Sequence, residues 1–355
     1  MGNVMAYSGL TTKIRAMQAK LLTQADYETI SGFTDVVQVV EFLKTKPAYA
    51  VYMDQLELSH LHRGAIEKML YQSLYNDYTR IFRFAGIDQK KFLKIYWKKY
   101  EVSVINYCLR IVFNHYDKPY DLAYKKEFFD KYSKIRIDQL VMAKNIDHLV
   151  DYLKNTEYYA PLSRIRQSGA STLADYELAL DLYYFSMMWK KRKGNWDKKD
   201  KEMLTKELGA KIDLLNLQWI YRAKKYYHML APDIYTLLIP IQHKLSNQEF
   251  KDLVEAPSVE EFKRRLNETY YGKKYEFGEQ VQIESIVNEC VEHILTIAYR
   301  NHPYSLASIQ QYLFLKEEEI YKITTALECI RYGLSQRETL QYLVQKQRRQ
   351  GGNAS

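Results

Sequence analysis

Apolar side chains recur along most of this chain at steps of three to five residues, the spacing that keeps one face of an α-helix turned inward. Between residues 58 and 85 the recurring positions are Leu58, Leu61, Ala65, Met69, Leu74, Tyr78 and Ile81, which predicts one long helix stopped by Gly86. Asp88 is placed to cap a second, running towards His115. Similar patterns predict long helices from about Thr172 to Lys193 and from Asp197 to Leu230, the latter ended by Pro232. Shorter helices are announced by a hydroxyl three residues ahead of a carboxylate: Ser246 with Glu249, Ser258 with Glu261, Ser335 with Glu338. In such a box the two side chains satisfy two backbone N–H groups that the first helical turn leaves open.

Laid over one another, the short elements repeat. Asp35, Val39 and Leu43 match Asn145, Leu149 and Leu153, then Ser258, Phe262 and Leu266; tyrosine follows each time, at Tyr49, at Tyr158 and Tyr159, and at Tyr270 and Tyr271. Between them a longer element recurs as VSVINYCLRIVF, IDLLNLQWIYRA and IYKITTALECIR, with Asn106, Asn216 and Thr324 at equivalent points. These points are 110 and 108 residues apart, against 110 and 113 for the caps. The order is short, long, short, long, short, long, so the last long element lacks a partner unless it meets the first short one, which would close a ring of three.

Composition supports helix. Glycine (13) and proline (7) are scarce in 355 residues, whereas a β-rich fold draws on both at its turns. An all-α fold is therefore expected, as two or three helical modules or one large helical body. With 47% hydrophobic and 27% charged residues the balance is that of a soluble globular protein. The 33 tyrosines suit half-buried helix faces and interfaces dry on one side and wet on the other. Cys108, Cys290 and Cys329 are far apart in apolar helical patterns, so they are expected as reduced core thiols. No basic segment followed by an apolar stretch opens the chain, and runs such as Tyr235 to Ile241 are too short to span a bilayer, so a soluble protein on the cytosolic side is expected.

The net charge of +9 suits nucleic acid, an anionic membrane surface or an acidic partner, without choosing among them. The densest basic stretch is Lys190, Lys191, Arg192 and Lys193, then Lys198, Lys199 and Lys201, around Gly194; its simplest interpretation is a solvated helix junction. No G-x-x-x-x-G-K-[ST] loop and no G-x-G-x-x-G fingerprint occur, so no nucleotide binding or ATP hydrolysis by the chain itself is expected. His60 and His62 point to different sides of a helix and H-E-x-x-H is missing, so neither a metal nor any other cofactor is expected. Glu317, Glu318 and Glu319 are expected to mark the solvated start of a helix. With no catalytic residues to name, a mechanical or binding role is favoured. A basic helical scaffold binding nucleic acid is the alternative, for which no recognisable motif is present.

Three segments carry a family likeness: YSGLTTKIRAMQAKLL at residues 7 to 22, IDLLNLQWIYRAK at 212 to 224 and YLFLKEEEIYKITTALECIRYGL at 312 to 334. They resemble the C subunit of the archaeal and bacterial V/A-type ATPases, called the d subunit in eukaryotes, over nearly the whole chain. The central segment is similar to the family's D-L-x-N-L-x-x-I-x-R-x-K pattern through Asp213, Leu214, Asn216, Leu217, Ile220, Arg222 and Lys224. The last keeps Tyr312, Leu313, Lys316, Glu317, Glu319, Ile320, Tyr332, Gly333 and Leu334 but carries Thr324 where relatives commonly have asparagine.

The resemblance implies a pseudo-threefold funnel of three similar helical modules, closed into a ring by the N- and C-terminal elements. The modules are expected at residues 1–50 with 305–355, 88–165 and 197–275, joined by helices at 51–87, 166–196 and 276–304. It further implies a non-catalytic central-stalk component of a rotary ATPase or ATP synthase. Such a component lies peripherally on the cytoplasmic face of the membrane, between shaft subunits of D and F type and the membrane proteolipid ring. It transmits torque for proton or sodium transport; no nucleic-acid partner is implied. On the motif helices Arg15, Arg110, Arg222, Lys224 and Glu319 are the charged candidates for partner binding. Two roles are open to them: contact with shaft or ring, or ion pairs between modules. Gly333 is expected as the left-handed residue that ends a helix.

Overall fold

Side-chain caps set where most of the helices begin. The computed structural model describes residues 2–115, 122–169, 172–277 and 283–344; the expected tail of the first module, 345–355, lies outside them. The regular structure among the described residues is helical, with no β-strand, as the all-α expectation required. The three repeated caps act alike. Asp35 accepts from the Val37 amide at 2.7 Å, Asn145 from His148 at 2.9 Å and Ser258 from Glu261 at 3.1 Å, opening the helices Val36–Lys44, Ile146–Tyr152 and Val259–Glu268. The boxes at Ser246 and Ser335 are reciprocal. At Ser258 the return bond is absent, because Glu261 is held by Arg264 and Arg265.

The chain divides into two compact units, Met1–Lys90 with Leu295–Lys346, and Lys91–Ile294. In the first, the Leu306–Arg331 helix is the centre: Leu306 to Phe314 are all buried, so this stretch is enclosed on every side. It packs against Arg63–Phe84, Gly2–Gln18 and Val36–Lys44, so the first short element and the last long one lie together. A small cluster of Tyr27, Ile30, Ala326 and Leu343 joins Gln24–Ser31 and Gln336–Val344 to its far end. The Leu306–Arg331 helix ends in a left-handed Gly333 (φ 64°), with Leu334 N–H donating to Cys329 and Gly333 N–H to Ile330, each at 3.0 Å.

In the second unit, Lys98–Phe113 packs on Leu173–Lys191 and on Ile146–Tyr152. Trp97 is wedged against Phe128 and Phe129, with ring centroids 4.0 and 5.0 Å away. The 29-residue helix Lys198–Tyr226 supports a second core of Leu214, Leu217, Ile220, Leu253, Phe262 and Leu266. All three cysteines are buried and free.

Several boundaries differ from the apolar pattern. The helix expected from Leu58 starts at Arg63, after a short turn at Leu58–His60, because the His62 side chain caps it. Its buried face is Ile66, Leu70, Leu74, Tyr78 and Ile81, one residue on from Ala65 and Met69. The helix expected from Asp88 to His115 is two, Ile87–Tyr96 and Lys98–Phe113, interrupted at Trp97. Pro232 does not end Lys198–Tyr226; it starts the next helix, Ala231–Leu237, where its missing N–H costs no bond.

Candidate functional site

A buried carboxylate that takes a tyrosine hydroxyl is the feature shared by the three long elements. In the first unit Tyr49 donates to Glu319, which also accepts from the Leu22 amide and, at 3.2 Å, from Lys316 Nζ. In the second, Glu101 accepts from Tyr158 at 2.7 Å, from Ser133 at 2.6 Å and from Lys98 Nζ at 2.9 Å. Asp213 accepts from Tyr271 at 2.9 Å and from the His243 and Lys244 amides at 3.0 and 2.6 Å. Each carboxylate is at most 2% exposed and has at least three donors, as burial of a charge requires. Each tyrosine follows its short capped helix, so the bond ties a short element to a long one. Hydrogen bonds to a charged acceptor contribute about 1.5–3 kcal/mol.

Burial and the neighbouring carboxylate push the Tyr49, Tyr158 and Tyr271 phenols well above their ordinary value, so all three remain donors. Burial pulls the Lys316 ammonium down, against the opposing pull of Glu319 and Asp77. At Lys98 burial acts the same way, but Glu101 and Glu157 outweigh it and hold the ammonium above its usual range. Lys and Glu three residues apart on one helix thus appear twice, at 98 and 101 and at 316 and 319. The third copy departs: its carboxylate is an aspartate three residues before Asn216, where the glutamates stand five before Asn106 and Thr324.

The five candidate residues are divided between the two units. Arg15 and Glu319 belong to the first unit, Arg110, Arg222 and Lys224 to the second. Arg15 is exposed and donates to the Tyr299 hydroxyl at 3.1 Å. Arg110 is exposed and pairs with Glu177 at 2.7 Å. Lys224 is half-buried and donates to the Ala256 carbonyl at 2.7 Å; burial, then Arg265, lowers its basicity. Glu319 is buried in the network above. Arg222 alone of the five is exposed with no hydrogen bond or ion pair to a described residue.

The acidic run 317–319 is not the solvated start of a helix. It lies in the middle of Leu306–Arg331, and Glu319 points inward because residues three and seven positions before it, Lys316 and Tyr312, share its buried face. Of the three equivalent polar points, only Asn216 is fully used: its amide donates to the Ile239 carbonyl and accepts from the Ile239 N–H, both at 2.9 Å. The Asn106 side-chain oxygen is buried with no hydrogen-bond partner among the described residues. Sequence reasoning missed Asp77, which accepts from Tyr312 at 2.6 Å, and Glu101. The recurring Lys-x-x-Glu spacing is the signal that could have found the latter. Among the described residues no cluster of His, Cys, Asp or Glu could hold a metal ion, and no helix is long and apolar enough to cross a membrane.

Comparison with known proteins places this architecture. The profile of the ATP synthase (C/AC39) subunit family matches residues 10–342. The C subunit of the A-type ATP synthase of Thermococcus kodakarensis is 24% identical over 341 residues, spanning 92% of this chain and 87% of that one. Its counterpart from Archaeoglobus fulgidus is 23% identical over 357 residues and 97% of each chain. That of Methanosarcina mazei is 21% identical over 336 residues, 93% of this chain and 90% of its own.

Proposed function

Because the chain belongs to the ATP synthase (C/AC39) subunit family, we propose that it is a non-catalytic rotor subunit of a rotary ATPase. In this proposal it joins shaft subunits of D and F type to the proteolipid ring on the cytoplasmic face of the membrane and transmits torque for proton or sodium transport. The observation that carries the reading is the family match from residue 10 to 342, with relatives named as the C subunits of A-type ATP synthases over comparable lengths. ATP chemistry then belongs to other subunits of the complex.

The physical requirement on a torque-bearing link is that load moves the whole body rather than one helix past another. The buried tyrosine–carboxylate ties support this, since sliding a short element along its long one would strand a desolvated charge. We extend the proposal to the pseudo-threefold funnel, with modules at 1–50 with 305–355, 88–165 and 197–275. The pairing of Val36–Lys44 with Leu306–Arg331 supports its closing contact. Arg222, exposed and unpaired, leads the partner-binding candidates, followed by Arg15 and Arg110; Lys224 and Glu319 would act by shaping the fold beneath a contact surface.

The test is isolation of the native complex through a tag on this chain. Copurification of shaft and ring subunits at fixed stoichiometry is expected. Recovery of the chain free of any ATPase subunit, or with nucleic acid as its stable partner, would refute the assignment.

A further inference from the structure

From Lys190 to Lys206 the chain carries eight cations against three carboxylates, more than half of its net charge of +9. This stretch is the junction between Leu173–Lys191 and Lys198–Tyr226. Lys190, Lys191, Lys193, Lys198 and Lys206 are exposed, and none of them pairs with a described carboxylate. The acids are mostly engaged within the fold: Asp197 caps the second helix by accepting from the Asp200 amide at 2.9 Å, and Asp200 is buried.

A solvated junction would account for lysines at the end of the first helix, where they complement the dipole. It does not account for Lys198 and Lys201 in the first turns of the second, where the dipole is positive and acidic side chains are the stabilising choice. Cations kept at a helix end that disfavours them point to a use outside the fold.

The charge is also gathered from beyond this stretch. Gly209 leaves room for the His243 ring, which a Cβ there would overlap. Burial, and then the positive field of Lys244, Lys206 and Arg192, keep that imidazole below its usual basicity. Two tryptophans are set among them. The Arg192 guanidinium lies 3.4 Å from the Trp189 ring, and Trp196 donates to the Lys191 carbonyl at 3.1 Å while meeting the edge of Phe92. Both indoles are half-buried.

We infer that this lysine- and tryptophan-bearing junction is a docking surface for an anionic lipid bilayer. The free cations are lysines, solvated point charges on flexible stems, which suit a diffuse sheet of headgroups. An acidic protein face with fixed carboxylates would favour the bidentate fork of arginine. Half-buried tryptophan beside them is the side chain that settles at headgroup depth. The inference rests on this charge pattern and is independent of the rotor assignment.

The test is co-sedimentation of the full chain with vesicles of phosphatidylcholine alone and of equimolar phosphatidylcholine and phosphatidylglycerol. Binding to the anionic vesicles only, falling with salt, is expected. The variant carrying Lys190→Gln, Lys191→Gln, Lys193→Gln and Lys198→Gln keeps helix propensity. Each lysine at an anionic surface is worth roughly fivefold in partitioning, so this variant should lose between about 10-fold and 600-fold. A control with Lys20→Gln, Lys94→Gln, Lys144→Gln and Lys251→Gln removes the same charge from exposed sites elsewhere. It should stay within about threefold of the parent. Equal losses in the two variants, equal binding to both vesicles, or displacement from anionic vesicles by soluble polyglutamate at equal charge would overturn the inference; the last would assign the surface to an acidic protein.

Discussion

Replacing Glu319 by glutamine keeps the volume and an acceptor for Tyr49 but removes the charge that faces Lys316. Lys316 is 0% exposed and Glu319 is 2% exposed, so water cannot take over the lost role. The remaining carboxylate in the neighbourhood, Asp77, is already bound by Tyr312 at 2.6 Å. Removing one partner of such a pair costs about 3–5 kcal/mol. The protein can relieve part of this by releasing the Lys316 proton. The Lys316 pKa is already lowered by burial, and loss of Glu319 removes the largest opposing influence. The unfolded chain then holds that proton up to about pH 10.4 while the folded chain gives it up earlier. Stability of Glu319→Gln relative to the parent must therefore rise with pH across the window between the variant's folded Lys316 value and the parent's less lowered one, above which both gain equally. Hydrogen exchange of the Leu306–Arg331 amides under urea reads the unit that holds the pair without assuming one transition for the whole chain. A loss below about 1 kcal/mol at pH 7, or a loss that grows as pH rises, would refute the account of this pair.

Asn216→Ala strands the buried Ile239 N–H and carbonyl, and should cost about 2–4 kcal/mol in urea unfolding of the second unit. Gly333→Ala forces a side chain into φ 64° and should lower stability by about 1 kcal/mol, with unfolding midpoint as the measure. Asp181, pushed up to about 6 by burial and by Glu177, binds its proton more tightly folded than unfolded. Its contribution should therefore favour the folded state near pH 4 and be lost as pH rises through 6; Asp181→Asn should be about 1 kcal/mol more stable than the parent at pH 7 and remove that part of the pH profile. Arg222→Glu should leave circular dichroism and melting of the isolated chain unchanged while weakening assembly in a salt-dependent way, measured by recovery of the intact complex.

The helices were legible because their starts are written locally. Asp35, Asn145 and Ser258 each cap a turn within three residues, a range that sequence alone resolves. Tertiary choices were less visible. The break at Trp97 follows from where the indole is buried between Phe128 and Phe129, some thirty residues away in sequence. The register of Arg63–Phe84 is set by its neighbours, not by its own apolar spacing. The acidic run 317–319 misled because a charge triplet on a helix is ordinarily solvated, and the buried Glu319 is made tolerable by the distant Tyr49 and Leu22 together with Lys316. Of the site candidates, sequence located charged positions on the motif helices but could not separate Arg222, which is free, from Lys224, two residues on and turned against Ala256.

The proposed mechanical coupling is tested by reconstituting the complex with and without this chain and measuring ATP hydrolysis and ion transport in the same vesicles. Hydrolysis should persist without the chain while transport is abolished, and adding the purified chain should restore transport. Undiminished ion transport in complexes shown to lack it would contradict the account.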